Sequence, residues 1–251
     1  WYTDTVVDAA GNVAVVGSFD GTSLIGLGST VVNTSAGTND MFVVKVSSAG
    51  SVVMAKGSGG GGTDNAGYVV SRADGSVYVS LSTDSSQLMF GGNTSFGGAV
   101  APGARRAGVM RINSFGAVQS AKLFNATNIT DIGGVAVSSA GNVFMAGTYS
   151  NGSITFGSTT VPDPAGDVQI YYVGWDTNGN ILAAGSVGGT GTEYMQGGNG
   201  CAFDSSGNPV LAFDSWAPSV MIGQRSYTNR DLDAYLVLTN TSVPVSYTHL
   251  R

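Results

Sequence analysis

The side chains that acid–base or metal chemistry needs are few in this chain and unevenly placed. The only histidine is His249 and the only cysteine is Cys201. A Ser-His-Asp set, a His-held metal and a Cys-cluster zinc site therefore have no donor set before the last few residues. Cys201 lies in the apolar stretch Cys201-Ala202-Phe203, which predicts a small buried hydrophobe rather than a nucleophile. Carboxylates remain. Asp64, Asp131 and Glu193 fall in three link-like stretches, 57–67, 125–134 and 188–200. A ring of acids on such loops would hold a divalent cation, calcium being the candidate, or the hydroxyls of a sugar. The plain alternative is a set of solvated loop acids. Trp216, in the turn-like Asp214-Ser215-Trp216-Ala217-Pro218, is the candidate surface platform for a ligand, whereas Trp175 shares the slot of Val46 and Ile112 and reads as core.

Two motifs resemble ligand loops and fail on their surroundings. Asp176, Asn178 and Asn180 alternate like the start of a calcium loop, but Ile181 and Val187 stand where that loop needs glycine and glutamate. A hairpin turn is the better reading. The run 57–62, GSGGGG, has the spacing of a dinucleotide-binding turn. The residues after it predict a strand, not the helix whose N-terminus would meet a pyrophosphate, so an inter-repeat loop is expected.

The elements that must position these residues form a repeat. Residues 8–17 (DAAGNVAVVG), 72–81 (RADGSVYVSL), 138–147 (SSAGNVFMAG) and 204–213 (DSSGNPVLAF) share one pattern. Their glycines, Gly11, Gly75, Gly141 and Gly207, are 64, 66 and 66 residues apart. A second series, with Gly50, Gly116 and Gly179, interleaves at 66 and 63. Each glycine lies between β-rich runs, a β-hairpin signal, with the glycine in the left-handed position of a tight turn. Two hairpins per repeat give four antiparallel strands in about 65 residues, the size of a propeller blade. Runs such as Val143-Phe144-Met145-Ala146 and Tyr171-Tyr172-Val173 are apolar at consecutive positions and predict burial on both faces, as in stacked sheets.

DAAGNVAVVG with DMFVVKVSSAG (40–50), and SSAGNVFMAG with VQIYYVGWDTNG (168–179), resemble the repeats of SBBP-type bacterial β-propellers. The connections 23–32, 153–161 and 219–224 also resemble one another. The resemblance spans about residues 1–243 and implies architecture, not function. It departs from the pattern where the lysine slot of Lys45 becomes Arg111, Gly174 and Leu238, and where Pro209 replaces a strand valine.

The expected fold is thus an all-β, partial β-propeller of about four blades: 1–57, 66–124, 133–187 and an incomplete 199–243. Residues 244–251, PVSYTHLR, read as a translated sequencing-adapter tail of metagenomic type and are set aside as non-native. Both ends are expected to be truncations.

Composition narrows the function. Charged residues are 10%, against a typical ~25%, with 39 glycines, so strand-and-turn structure dominates. The net charge is −6 and the only adjacent basic pair is Arg105–Arg106, which argues against nucleic acid. No apolar run reaches 18 residues, so no membrane span is expected in this segment. Six N-glycosylation sequons, at Asn33, Asn93, Asn125, Asn128, Asn151 and Asn240, permit secretion without arguing for it. The expectation is a non-enzymatic repeat module that binds protein or carbohydrate, needs no cofactor, and sits on an extracellular or cell-surface protein. The alternative is a fragment of a polysaccharide-cleaving propeller enzyme, which a convergent pair of buried carboxylates with raised pKa would favour.

Overall fold

The computed structural model describes residues 3–20, 25–27, 30–32, 38–91, 94–97, 104–126, 129–150, 152–162, 168–195, 198–222, 225–228, 233–239 and 244–250. The described residues are all-β and antiparallel, apart from one parallel bridge between Asn39 and Thr63. Among them no helix is long and apolar enough to cross a membrane. The chain divides into two compact units, Trp1–Leu123 and Phe124–Arg251, each with two repeats.

In the first repeat the strands are β1 (Thr3–Val7), β2 (Val13–Phe19), β3 (Ile25–Leu27), β4 (Thr30–Val32), β5 (Asp40–Val46) and β6 (Val52–Gly59). The second holds β7 (Asp64–Ser71), β8 (Val77–Thr83), β9 (Gln87–Phe90), β10 (Thr94–Gly97), β11 (Arg105–Ile112) and β12 (Val118–Ala126). The third holds β13 (Ile129–Val137), β14 (Val143–Tyr149), β15 (Ser153–Phe156), β16 (Thr159–Pro162), β17 (Gln169–Trp175) and β18 (Ile181–Gly189). The fourth has a split first strand, β19 (Glu193–Tyr194) and β20 (Cys201–Phe203), then β21 (Pro209–Ser215), β22 (Ser219–Ile222), β23 (Arg225–Thr228), β24 (Asp233–Thr239) and β25 (Pro244–Leu250). The four-stranded meanders are β1-β2-β5-β6, β7-β8-β11-β12, β13-β14-β17-β18 and β19/β20-β21-β24-β25.

Seven turns close the paired strands in one way. Asp8 N donates to Asn12 O and Gly11 N to Asp8 O, both at 2.9 Å; the same two bonds recur at Ser47–Ser51, Arg72–Ser76, Asn113–Ala117, Ser138–Asn142, Asp176–Asn180 and Asp204–Asn208. This three-residue loop needs one left-handed residue, and all seven glycines have φ between 76° and 91°. Three turns carry an added clasp. Asp8 Oδ1 accepts the Ala10 and Asn12 amides while Asn12 Nδ2 donates to Oδ2, and Asp176/Asn180 and Asp204/Asn208 repeat this. The Asp176 carboxylate is thereby taken up within its own turn. At Gly207 an added Cβ would meet nothing within 4 Å, so Gly207→Ala isolates the conformational cost of φ +82°. Urea unfolding is expected to show a loss of about 1 kcal/mol with an unchanged slope.

The strands pack as their composition demands. Every residue of β8 and of β14 is buried. In unit 1 the core joins Ala14, Val16, Met41 and Val43 of the first sheet to Val77, Val79, Leu81 and Met110 of the second. In unit 2, Phe144, Ala146 and Ile170 pack with Leu211, Phe213 and Val237. The first strands of consecutive sheets approach closely in each unit. Gly134 of β13 leaves no room for a side chain, since a Cβ would lie 2.4 Å from Asn199 Oδ1 and 3.0 Å from the amides of Gly200 and Cys201.

Two sequence expectations change. The connections 23–32 and 153–161 hold the hairpins β3–β4 and β15–β16, 219–224 holds β22 of the hairpin β22–β23, and β9–β10 fills the same place in the second repeat. Three of these hairpins lie on the outer strand of the repeat before. β9 pairs with β6 at Ser58↔Phe90, β15 with the Asn125–Ala126 end of β12, and β22 with β18 at Val187↔Ile222. An outer strand exposes unpaired backbone groups, and the donated hairpin covers them. The links between repeats are also shorter than expected: only 60–63 and 190–192 separate β6 from β7 and β18 from β19. Of the glycines read as loop, Gly57 and Gly59 belong to β6. Gly59 and Gly60 are required by contact, because a Cβ would fall 1.9 Å from Asp40 Oδ1 at the first and 2.3 Å from Gln87 O at the second.

Residues 244–250, set aside as a tail, form β25 and pair with β24 from Ala234↔Leu250 to Thr239↔Pro244. A short β-prone segment beside an open strand edge satisfies that edge whatever its origin. Of the six sequons, Asn125 is exposed on β12 and the other five lie outside the described residues.

Candidate functional site

Cross-strand register builds the site in unit 1. Thr83, at the end of β8, faces Asp64 on one side and Arg106 on the other. The Asn39–Thr63 bridge brings Asp40 alongside, and Asp64 N donates to Asn39 O at 2.8 Å. Asp40, Asp64, Thr83 and Arg106 are all buried, Asp40 and Asp64 with no exposed surface. Ser85 Oγ donates to Asp64 Oδ2 at 2.8 Å, and Arg106 donates to the carbonyls of Ser85 and Ser86.

Electrostatics at this row favour a neutral acid. Burial raises the Asp64 pKa; the hydroxyls of Thr83 and Ser85 pull it down, the Asp40 charge pushes it up, and it comes to about 6. Burial also lowers the pKa of Arg106, against the attraction of Asp64.

Unit 2 repeats the row with other side chains. Glu193 faces Ser215, whose Oγ donates to Glu193 Oε1 at 3.1 Å. Gln169 opposes Tyr149 as Asp40 opposes Phe19, and donates through Nε2 to Gly189 O at 3.0 Å. Gln169 Oε1 and Glu193 Oε2 both lie against Gly188, where a Cβ would meet them at 1.8 and 2.8 Å.

The structure places the three acids of the proposed ring in two kinds of setting. Asp64 and Glu193 are interior strand residues of equivalent register, not loop acids. Burial at a strand start, under glycines, accounts for the difference. Asp131 does not share their place. It lies within β13 opposite Thr148, is half-buried, and its Oδ1 accepts the amide of Ile132 at 2.7 Å. Among the described residues no three His, Cys, Asp or Glu side chains group as metal ligands. Trp175 and Cys201 are buried. Desolvation raises the Cys201 thiol pKa, so the sulfur is a packing group.

Trp216 lies outside the core. It is 57% exposed just past β21, and its amide bonds to Thr192 O at 3.2 Å. Its slot, nine residues past the turn glycine, holds Asp20, Asp84 and Ser150 in the other repeats. Two residues earlier, Asp214 helps line an open hollow of about 220 Å³ with Met195, Asn199, Ala212 and Phe213. Asn199 is fixed there like a strand residue, accepting the Val135 amide at 2.9 Å and donating to its carbonyl at 2.7 Å. Sequence reasoning missed Asp40, Arg106 and Asn199, whose roles arise from partners in other strands. Neither a protein-family model nor a curated protein matches the chain.

Proposed function

We propose that this chain is a segment of a β-propeller of the SBBP-like kind. In this reading it serves a secreted or cell-surface protein as a non-enzymatic module for a carbohydrate or protein ligand. The repeat of four-stranded meanders, the seven like turns and the close approach of first strands within each unit support the propeller. One observation carries the binding role: Trp216 is solvent-exposed in a slot that is polar in every other repeat, two residues past Asp214, which lines an open hollow with Asn199. An exposed indole gains from burial against a sugar face or an apolar side chain and has little other reason to stand there. Asp64 and Glu193 have no exposed surface to offer a ligand.

Binding to a panel of immobilised polysaccharides, read by retention and by tryptophan fluorescence, tests it. Trp216→Ala is expected to weaken the retained ligand by ~30-fold, the loss of a buried aromatic anchor, while stability shifts by no more than about 0.5 kcal/mol. Equal retention by the variant would remove Trp216 from the account. The hydrolase alternative gains one observation, the Asp40–Asp64 acid pair. Both carboxyls are closed to solvent, so a glycosidic bond has no place between them.

A further inference from the structure

We propose that copies of this chain associate head to tail, the outward face of the first sheet in one copy packing on the outward face of the fourth sheet in another. The inference goes beyond the ligand reading above and does not rest on it. Packing inside each unit sets the pattern. Val77 and Val79 of β8 share a face of the second sheet with Ile112 of β11, which pairs with Val77, and all three are buried in one core with Ala14 and Val16 of β2. In unit 2, Leu211 and Phe213 of β21 are buried in the same way with Phe144 and Ala146 of β14. A repeat thus has a leading face, which meets the repeat before it, and a different trailing face, which meets the repeat after it.

One face of each kind lies open. Counted from the turn glycines Gly11 and Gly75, Val13 and Val15 of the first sheet take the places of Val77 and Val79. Register lines Val7, Val13, Val46 and Val52 into one row on that leading face. Val7 is 61% exposed, Val13 36% and Val52 38%, whereas Val77 and Ile112 in the equivalent row are 1% and 0% exposed. The trailing face of the fourth sheet carries Val210, Ala212 and Asp214, in the places of Ala14, Val16 and Ser18. Those three are buried, and so are Phe144, Ala146 and Thr148 at the same places of β14. Ala212 is exposed, Val210 and Asp214 are half-buried, and Ala212 and Asp214 border the open hollow. Apolar surface that a like repeat covers elsewhere in the chain gains from the same cover here.

The second copy is the occupant because it brings the matching face. Val13 and Val15 of one copy meet Val210 and Ala212 of the other as Val77 and Val79 meet Ala14 and Val16. Asp214 adds a polar match. It stands where Ser18 Oγ accepts the Ala66 amide at 3.0 Å, and a carboxylate is a stronger acceptor for the amide of an incoming first strand. The hairpins match as well. Among the described residues β3–β4 forms a two-stranded sheet of its own, while its counterparts β9, β15 and β22 each lie on a preceding outer strand. β25, at the edge of its sheet, carries no hairpin and takes β3 of the other copy. The contact is heterologous, so every assembly keeps one trailing face free, with its hollow open.

Sedimentation of the full chain, without ligand, across micromolar to millimolar concentration tests it. Wild type is expected to grow in mass with concentration, through dimer to trimer. Val13→Lys blocks the leading face and Ala212→Lys the trailing face. Each puts a charge where the contact is apolar and should weaken association by at least ~10-fold. An equimolar mixture of the two variants should associate again and stop at the dimer, because one usable face of each kind remains. A wild type that stays monomeric overturns the proposal. So does a variant that associates like wild type, which would mean that like faces meet or that contact is unspecific, and so does a mixture that stays monomeric. Should Val13→Lys or Ala212→Lys fail to fold, Val7→Lys or Asp214→Lys on the same face takes its place. No polysaccharide enters the experiment, so its failure leaves ligand retention to be judged by itself.

Discussion

Replacing Lys45 by methionine is expected to destabilise unit 1 by about 3–5 kcal/mol, the cost of leaving a buried charge without its partner. Lys45 Nζ lies 2.8 Å from Asp8 Oδ2, with both side chains 2% exposed, and donates to Gly75 O at 2.7 Å. One ammonium therefore ties the first turn of repeat one to the first turn of repeat two. Burial alone would raise the Asp8 pKa. The bonds from Lys45 and Asn12, with the Lys45 charge, overcome it and hold the carboxyl well below the usual range. Such a group stabilises above its unfolded pKa, and its contribution is lost as pH falls below about 4. Adding Asp8→Asn to Lys45→Met should recover a good part of the loss, since it removes the stranded charge; chemical unfolding of the two single variants and the pair measures it. The analogous Arg111 in repeat two is half-exposed and meets Asp74 at 3.4 Å, so its removal should shift stability by less than about 1 kcal/mol.

Phe144→Ala is expected to cost unit 2 a similar amount, about 3–5 kcal/mol. The ring has no exposed surface and stands between Tyr172 and Phe203, at centroid distances of 6.2 and 6.4 Å. It thereby joins the third sheet, through β14 and β17, to β20 of the fourth. Truncation removes these contacts and leaves a void that a close-packed interior fills poorly. Loss of the cooperative unfolding transition at 37 °C, or a drop in urea midpoint of matching size, would be the readout. A change below 1 kcal/mol would mean the two sheets do not share this core.

Local chemistry was legible in the sequence and long-range pairing was not. A glycine three residues after Asp, Ser or Asn (Arg72 in one turn), between β-rich runs, specifies its turn through its own φ and its own hydrogen bonds, so all seven turns could be located in advance. The burial of Val143-Phe144-Met145-Ala146 on both faces follows from lacking any polar face. The donated hairpins were hidden because Phe90 pairs with Ser58, and Ile222 with Val187, more than thirty residues back; nothing in either segment alone specifies the partner. The acids were misplaced for a related reason. Asp64 after a glycine run reads as a solvated loop residue, and only its register with Thr83 and its contact with the preceding repeat put it indoors. The hydroxyl-rich end of β8, Ser82-Thr83-Asp84-Ser85, was the one signal for a buried polar partner. Lys45 stood out as a repeated slot, yet its partner Asp8 lies 37 residues away in another strand's turn.

The arrangement at the centre of this account is one repeat lending its second hairpin to the sheet before it. Cross-strand α-proton contacts in the solution NMR spectrum report it directly. The expected spectrum joins β6 to β9 near Ser58 and Phe90, and β18 to β22 near Val187 and Ile222, alongside the β8–β11 ladder. Intact β8–β11 contacts with none between β6 and β9 or between β18 and β22 would contradict it.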